Sequence, residues 1–178
     1  MMEISEISEE VLERARKVKL LLMDCDGVLT DGRLYFTENG EAMKVFHVRD
    51  GQGLALWHQA GFRSGIITGR NAEKILQSRT TELGINYLKT RSQDKTKDFY
   101  DILQSENIEA NEVAYIGDDI GDICLMKLVG LPIAVANAVE EVFPHIIYKT
   151  KCNGGFGAVR EITDLLLFAK NMDSKLQN

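Results

Sequence analysis

The densest chemistry in the chain lies in Asp24-Cys25-Asp26-Gly27-Val28-Leu29-Thr30-Asp31-Gly32, directly after the apolar run Leu20-Leu21-Leu22-Met23. Residues two apart on an extended segment project to the same side, so Asp24 and Asp26 are expected to enter one crevice at a strand end. Two carboxylates that close repel, which is costly without a cation between them or a shared proton. A divalent magnesium ion, which takes carboxylate oxygens and keeps several waters, resolves the conflict. Gly27 then lets the backbone turn sharply beside a bound phosphate.

Three further clusters have the same character. Ser64-Gly65-Ile66-Ile67-Thr68-Gly69-Arg70 ends an apolar run in a hydroxyl, a glycine and a cation. Gly117-Asp118-Asp119-Ile120-Gly121-Asp122 places three carboxylates within five residues. Lys95 falls between them, with Lys97 two positions on as a competing cation. Taken singly, each has an ordinary structural reading: a turn, an acidic helix start favoured by capping and the dipole, a solvated lysine.

The elements that must position these groups follow from periodicity. Apolar runs at 18–23, 64–68, 85–88, 112–116, 133–135 and 146–148 read as strands. Helix-period segments at 53–60, 72–83, around 99–103, 123–129 and 158–169 alternate with them, and Gly61 and Gly84 supply helix stops. Such alternation gives an α/β fold, a Rossmann-like doubly wound parallel sheet with ligand groups at the strand C-terminal ends. Residues 33–48 break the pattern. Two strand-like runs flank Glu38-Asn39-Gly40, a β-hairpin signal. Residues 1–17 read as an amphipathic helix packed on the domain and 171–178 as a frayed polar tail, so the expectation is one domain over 1–178.

Composition excludes several classes. The net charge is −6, which speaks against nucleic acid as a partner because backbone binding needs a basic face. No apolar run approaches a membrane span, and the Glu-rich N-terminus lacks the basic start and continuous apolar stretch of a secretion signal. Three cysteines without a C-x-x-C pair suit a reducing cytoplasm and argue against a disulfide framework or a zinc site. A phosphate substrate must therefore be attracted by a local cation and not by the overall field.

In this order the four clusters resemble the haloacid dehalogenase superfamily, and the resemblance covers nearly the whole chain from Val18 onward. D-x-D-G-V-L-T-D is close to its phosphatase signature and G-D-D-x-x-D matches its acidic motif. The resemblance implies that Asp24 is a nucleophile forming an aspartyl-phosphate and Asp26 a general acid and then base. It implies that Thr68 and Lys95 hold the phosphoryl group. Magnesium would be bound by Asp24, Asp118 and the backbone carbonyl of Asp26, with Asp119 and Asp122 in or around that shell.

Only 43 residues separate Asp24 from Thr68, which leaves no room for a cap domain. Val45-Phe46-His47-Val48-Arg49-Asp50-Gly51-Gln52-Gly53 and Gly154-Gly155-Phe156-Gly157-Ala158-Val159-Arg160-Glu161 are similar to segments of the capless 3-deoxy-D-manno-octulosonate 8-phosphate (KDO 8-phosphate) phosphatases. Membership would imply a homotetramer assembled through the hairpins and a role in lipopolysaccharide precursor biosynthesis. The substrate would be a phosphorylated sugar acid, its phosphate near Gly27 and Gly69. Its carboxylate is expected to be read by Arg70, which suits bidentate recognition, with Arg49 and Arg160 as further candidates. The alternatives are a nine-carbon sugar acid phosphate as substrate, a phosphoacceptor signalling domain, or a non-catalytic tetramerising domain.

Overall fold

The computed structural model describes residues 7–71 and 73–171. The part of the expected N-terminal helix at 1–6, the helix position expected at Ala72, and the tail from 172 lie outside them. Six helices and eight strands are formed among the described residues: α1 (Glu9–Lys17), β1 (Leu20–Met23), β2 (Tyr35–Thr37), β3 (Gly40–Met43), α2 (Val48–Gln59), β4 (Arg63–Ile67), α3 (Glu73–Leu83), β5 (Tyr87–Lys89), α4 (Lys95–Glu106), β6 (Val113–Gly117), α5 (Ile123–Met126), β7 (Leu131–Ala134), β8 (Tyr148–Lys149) and α6 (Ala158–Ala169). Short 3-10 turns link several of them.

The main sheet has the order β5-β4-β1-β6-β7-β8, and every pairing in it is parallel. The chain runs outward from β1 through β4 to β5, then returns to the other side of β1. The direction of winding therefore reverses between β1 and β6, which is where ligand crevices open in such sheets. Strand alternation builds a core on each face. Leu21 and Met23 join residues of α1, α2, α3 and α6. Leu20 and Leu22 join Phe99, Ile102, Leu125 and Met126. Burial on both faces is why β1 needs an unbroken apolar run.

Several expectations are corrected in extent: β5 and β8 begin two residues later than expected and β7 two residues earlier, while α5 ends at Met126 and not at residue 129. Helix α2 starts at Val48, five residues before residue 53. Gly51 and Gly53 lower helix propensity, yet close packing accounts for Gly53, where a Cβ would lie 2.3 Å from Thr163 Oγ1 and 3.0 Å from the Arg160 Cα on α6; at Gly51 a Cβ would meet the movable end of Arg79 on α3 at 2.7 Å. The hairpin strands are shorter than residues 33–48. Tyr35 pairs with Met43, but Phe36 pairs with Glu41, so Ala42 is an extra residue in a bulge. Lys44 turns inward after it, and His47 caps α2 by accepting a hydrogen bond from the Arg49 amide. Between β1 and β4 the chain forms only this hairpin and α2.

Candidate active site

The site stands at the C-terminal ends of β1, β4 and β6. The Asp24 amide donates to Ile116 O at 3.0 Å, tying the end of β1 to β6, and Asp118 follows β6 directly. Carboxylate oxygens of Asp24, Asp118 and Asp122 lie within 4.8 Å of one another. Lys95, at the start of α4, enters between them. Its Nζ donates to Asp24 Oδ1 at 2.9 Å and to Asp122 Oδ1 at 2.8 Å. Burial opposes its charge, but the two carboxylates outweigh burial and hold its pKa above the usual lysine value. Lys97 is exposed and pairs with Asp101 on its own helix, so Lys95 is the lysine that reaches the cluster.

Asp122 is nearly fully buried and fully engaged. Oδ1 accepts from Lys95 and from the Tyr115 hydroxyl at 2.6 Å, and Oδ2 accepts from the amides of Asp118 at 2.9 Å and Asp119 at 3.2 Å. It organises the cluster and has little capacity left for a further ligand. Asp119 is exposed, and its Oδ1 caps the following 3-10 turn at Ile120; the structure does not bring it into the three-carboxylate group.

Asp118 is different. Its Oδ1 is buried and has no hydrogen-bond partner. Burial, then the charges of Asp122, Asp24 and Asp119, push its pKa up to about 8. Burial likewise raises Asp24, to about 6, against the lowering influence of Lys95. Carboxylates crowded in this way, one with an orphaned oxygen, form the hard-oxygen donor set that a divalent cation such as magnesium takes. Gly27 makes room for it: with φ at +89°, a Cβ there would sit 2.0 Å from Asp118 Oδ2. The loop of Asn153 to Gly157 presses from outside, with a Cβ at Gly154 falling 1.6 Å from Gly27 O and the Gly155 amide bonded to Val28 O.

Thr68 is buried after β4, and its Oγ1 accepts from the Arg70 amide at 3.4 Å. Gly69 runs beside the carbonyl of Ser92. Asp26 faces a second cluster, built partly by the hairpin. Its Oδ1 contacts Lys44 Nζ at 2.5 Å, and its Oδ2 lies 3.4 Å from Arg70 Nε. Glu41 closes the ring, 2.7 Å from Lys44 and 3.2 Å from Arg70. Burial opposes the Lys44 charge, but Asp26 and Glu41 outweigh it and raise its pKa. Arg49 is exposed on α2. Arg160 pairs with Asp164 on α6 at 2.7 Å while its amide caps onto Asp50. The described contacts bring neither arginine to the carboxylate cluster.

Glu41, Lys44 and Tyr115 are site residues that sequence reasoning missed. Along a regular strand, residues three apart face opposite sides. The bulge at Ala42 removes that offset and lets Glu41 and Lys44 meet. Tyr115 had a signal of a kind, a polar tip inside an otherwise apolar strand.

Comparison with known proteins agrees with this geometry. Residues 85–162 match the family described as haloacid dehalogenase-like hydrolase. The chain is 43% identical over 164 residues to the 3-deoxy-D-manno-octulosonate 8-phosphate phosphatase KdsC of Escherichia coli K12, covering 92% of this chain and 87% of that one. A crystal structure of the Yersinia pestis phosphatase of that name superposes with a TM-score of 0.92 at 40% identity, over 94% of this chain and 90% of the other. The Moraxella catarrhalis phosphatase, solved in complex with magnesium ion, phosphate ion and KDO, superposes with a TM-score of 0.91 at 36% identity, over 95% and 97% of the two chains. With this identity sustained along nearly its full length, the chain belongs to the haloacid dehalogenase-like hydrolases, within the family of 3-deoxy-D-manno-octulosonate 8-phosphate phosphatases.

Proposed function

We propose that the protein hydrolyses KDO 8-phosphate to KDO and phosphate in the cytoplasm, through an aspartyl-phosphate on Asp24. The observation that carries this reading is the approach of Asp24, Lys95 and Asp118 at the β1–β6 crevice, with Asp26 on the same loop directed to a separate cation cluster. Asp24 and Asp118 would hold magnesium together with the backbone carbonyl of Asp26. When bound, the metal supplies positive charge to the transferring phosphoryl group in a protein that is otherwise net acidic.

The residues divide the work. A carboxylate oxygen of Asp24 attacks phosphorus while the bond from phosphorus to the sugar oxygen breaks. Lys95 neutralises phosphoryl charge, and the Thr68 hydroxyl, which donates no hydrogen bond among the described contacts, is available to a phosphate oxygen. Asp26 gives a proton to the leaving alkoxide, then takes one from the water that hydrolyses the acyl phosphate. Asp122 keeps Lys95 and the Asp118 amide in place. Arg70, part-exposed beside Asp26, is the candidate for the substrate carboxylate.

The test is a screen of phosphorylated sugar acids of eight and nine carbons with p-nitrophenyl phosphate alongside, in magnesium and in chelator. The expected result is metal-dependent turnover with KDO 8-phosphate preferred. A stable phosphoprotein lasting minutes, or no turnover at all, would overturn the reading.

A further inference from the structure

We propose that Lys44, delivered by the hairpin, is the positioning residue that presents Asp26 to the leaving group. The inference rests on the phosphatase reading above and deepens it.

The geometry is specific. Lys44 has a side chain with 0% exposure, unusual for a lysine without a dedicated partner. Its Nζ meets Asp26 Oδ1 and Glu41 Oε1, and Thr30 Oγ1 lies 3.4 Å from the same Asp26 oxygen. Oδ1 is therefore committed. Asp26 Oδ2, in contrast, is buried with no hydrogen bond, and so is the Arg70 Nε that lies 3.4 Å from it. One oxygen of Asp26 is clamped by hydrogen bonds, while the other makes only the longer ion pair with Arg70 Nε and keeps its hydrogen-bonding capacity, as a carboxyl that must exchange a proton with a substrate oxygen requires. Glu41 holds the clamp, because its carboxylate fixes Lys44 on one side and Arg70 on the other.

The null alternative is charge balance alone: a buried lysine that offsets two nearby carboxylates. Removing one member of a buried ionic group is costly for that reason by itself. The two accounts separate through the leaving group. A sugar alkoxide needs a proton as it departs, whereas p-nitrophenolate does not, and kcat/KM reports only the steps through leaving-group departure.

The experiment compares Lys44→Met and the charge-balanced pair Lys44→Met with Glu41→Gln. Each is assayed on p-nitrophenyl phosphate and on a sugar phosphate that lacks a carboxylate, so that Arg70 does not enter. Asp26→Asn is the reference for the proton-transfer effect, which general acid catalysis places at about 10²- to 10⁴-fold. The expected result is that both Lys44 variants lose at least about tenfold more kcat/KM on the sugar phosphate than on the aryl phosphate, in the direction of Asp26→Asn. An equal loss on both substrates, or recovery of the sugar phosphate rate in the double variant, would overturn the proposal. If Asp26→Asn itself showed no dependence on the leaving group, the acid role of Asp26 would fall, and the role of Lys44 with it. Absence of turnover in the unaltered protein would overturn the phosphatase reading first.

Discussion

Asp122 and Lys95 meet at 2.8 Å across 27 positions of sequence, one following β6 and the other opening α4. The contact explains how an acidic residue with no free oxygen serves a phosphate site. Asp122 also accepts from Tyr115 and from two backbone amides, so it fixes the lysine, the strand end and the Asp118 backbone at once. Asp122→Ala should leave the Tyr115 hydroxyl and the two amides without this acceptor, and Lys95 held by Asp24 and Tyr115 alone. Breaking a buried charged network costs about 3–5 kcal/mol, and we expect a clear drop in thermal midpoint together with at least about 10²-fold loss in kcat. Activity within about threefold of the unaltered enzyme would show that Lys95 finds its position without Asp122.

The Gly154 contact gives a prediction about packing. A Cβ there would overlap the carbonyl of Gly27, and neither partner is a flexible side-chain end. Gly154→Ala should push the loop off the Asp24–Gly32 segment, lowering stability by about 1–3 kcal/mol and reducing kcat. Gly121→Ala is the matched control, since nothing lies within 4 Å of its added Cβ, and surface changes of that kind stay within about 0.5 kcal/mol. Equal denaturation midpoints for the two variants would contradict the close approach.

The sheet was legible because its central strands β1, β6 and β7, with most of β4, are buried and therefore written as continuous apolar runs, and because Asp24, Thr68 and Asp118 close three of them. Helix α6 was legible to the residue, with its stripe from Val159 to Ala169. The Lys44–Glu41 pair was not, since a bulge inverts the side-chain alternation on which strand reading depends, and nothing in the spacing of Glu41 and Lys44 announces it. The start of α2 was missed because residues 41–48 read as a second hairpin strand and Gly51 looks like a helix breaker, whereas the helix begins at Val48 and includes both Gly51 and Gly53.

His58 carries a pH prediction away from the site. Its Nδ1 faces Leu83 O at 3.0 Å, and a carbonyl only accepts, so Nδ1 bears the hydrogen and Nε2 accepts from Ser64 Oγ at 2.8 Å. Burial lowers its pKa, against the raising effect of the Leu83 bond. The unfolded chain takes up a proton as pH falls through about 6.5, before the folded protein does, so this contribution is present above that pH and is lost below it. Between pH of about 7.5 and 5.5, denaturation midpoints of the unaltered protein should fall more than those of His58→Asn. Parallel profiles would remove His58 as the cause.

The hairpin exposes Phe36 at 62%, Met43 and Val45 at 48% each, with Val48 at 82% just beyond it. An isolated two-stranded ribbon is marginal in water, and an apolar patch of this kind marks an association surface. Light scattering is expected to give a homotetramer, and Phe36→Lys with Val45→Lys to dissociate it. A monomer of about 20 kDa at micromolar concentration would contradict assembly through the hairpin.

The last prediction concerns substrate choice. Arg70 is not a free cation: its Nη2 donates to Glu41 at 3.2 Å and its Nε lies 3.4 Å from Asp26 Oδ2, while its side chain stays 39% exposed. A substrate carboxylate would therefore share the guanidinium with Glu41, using the outward edge of the planar fork. A charge-assisted hydrogen bond of that kind is worth about 1.5–3 kcal/mol, or roughly ten- to more than a hundredfold in kcat/KM. Arg70→Ala should impose a loss of that size on KDO 8-phosphate beyond its loss on a sugar phosphate without a carboxylate. Both substrates have alkoxide leaving groups, so any effect passing through Asp26 is common to them and cancels in the ratio. A ratio unchanged from the unaltered enzyme would leave Arg70 as a partner of Asp26 and Glu41 alone, and the carboxylate would have to be read by another cation.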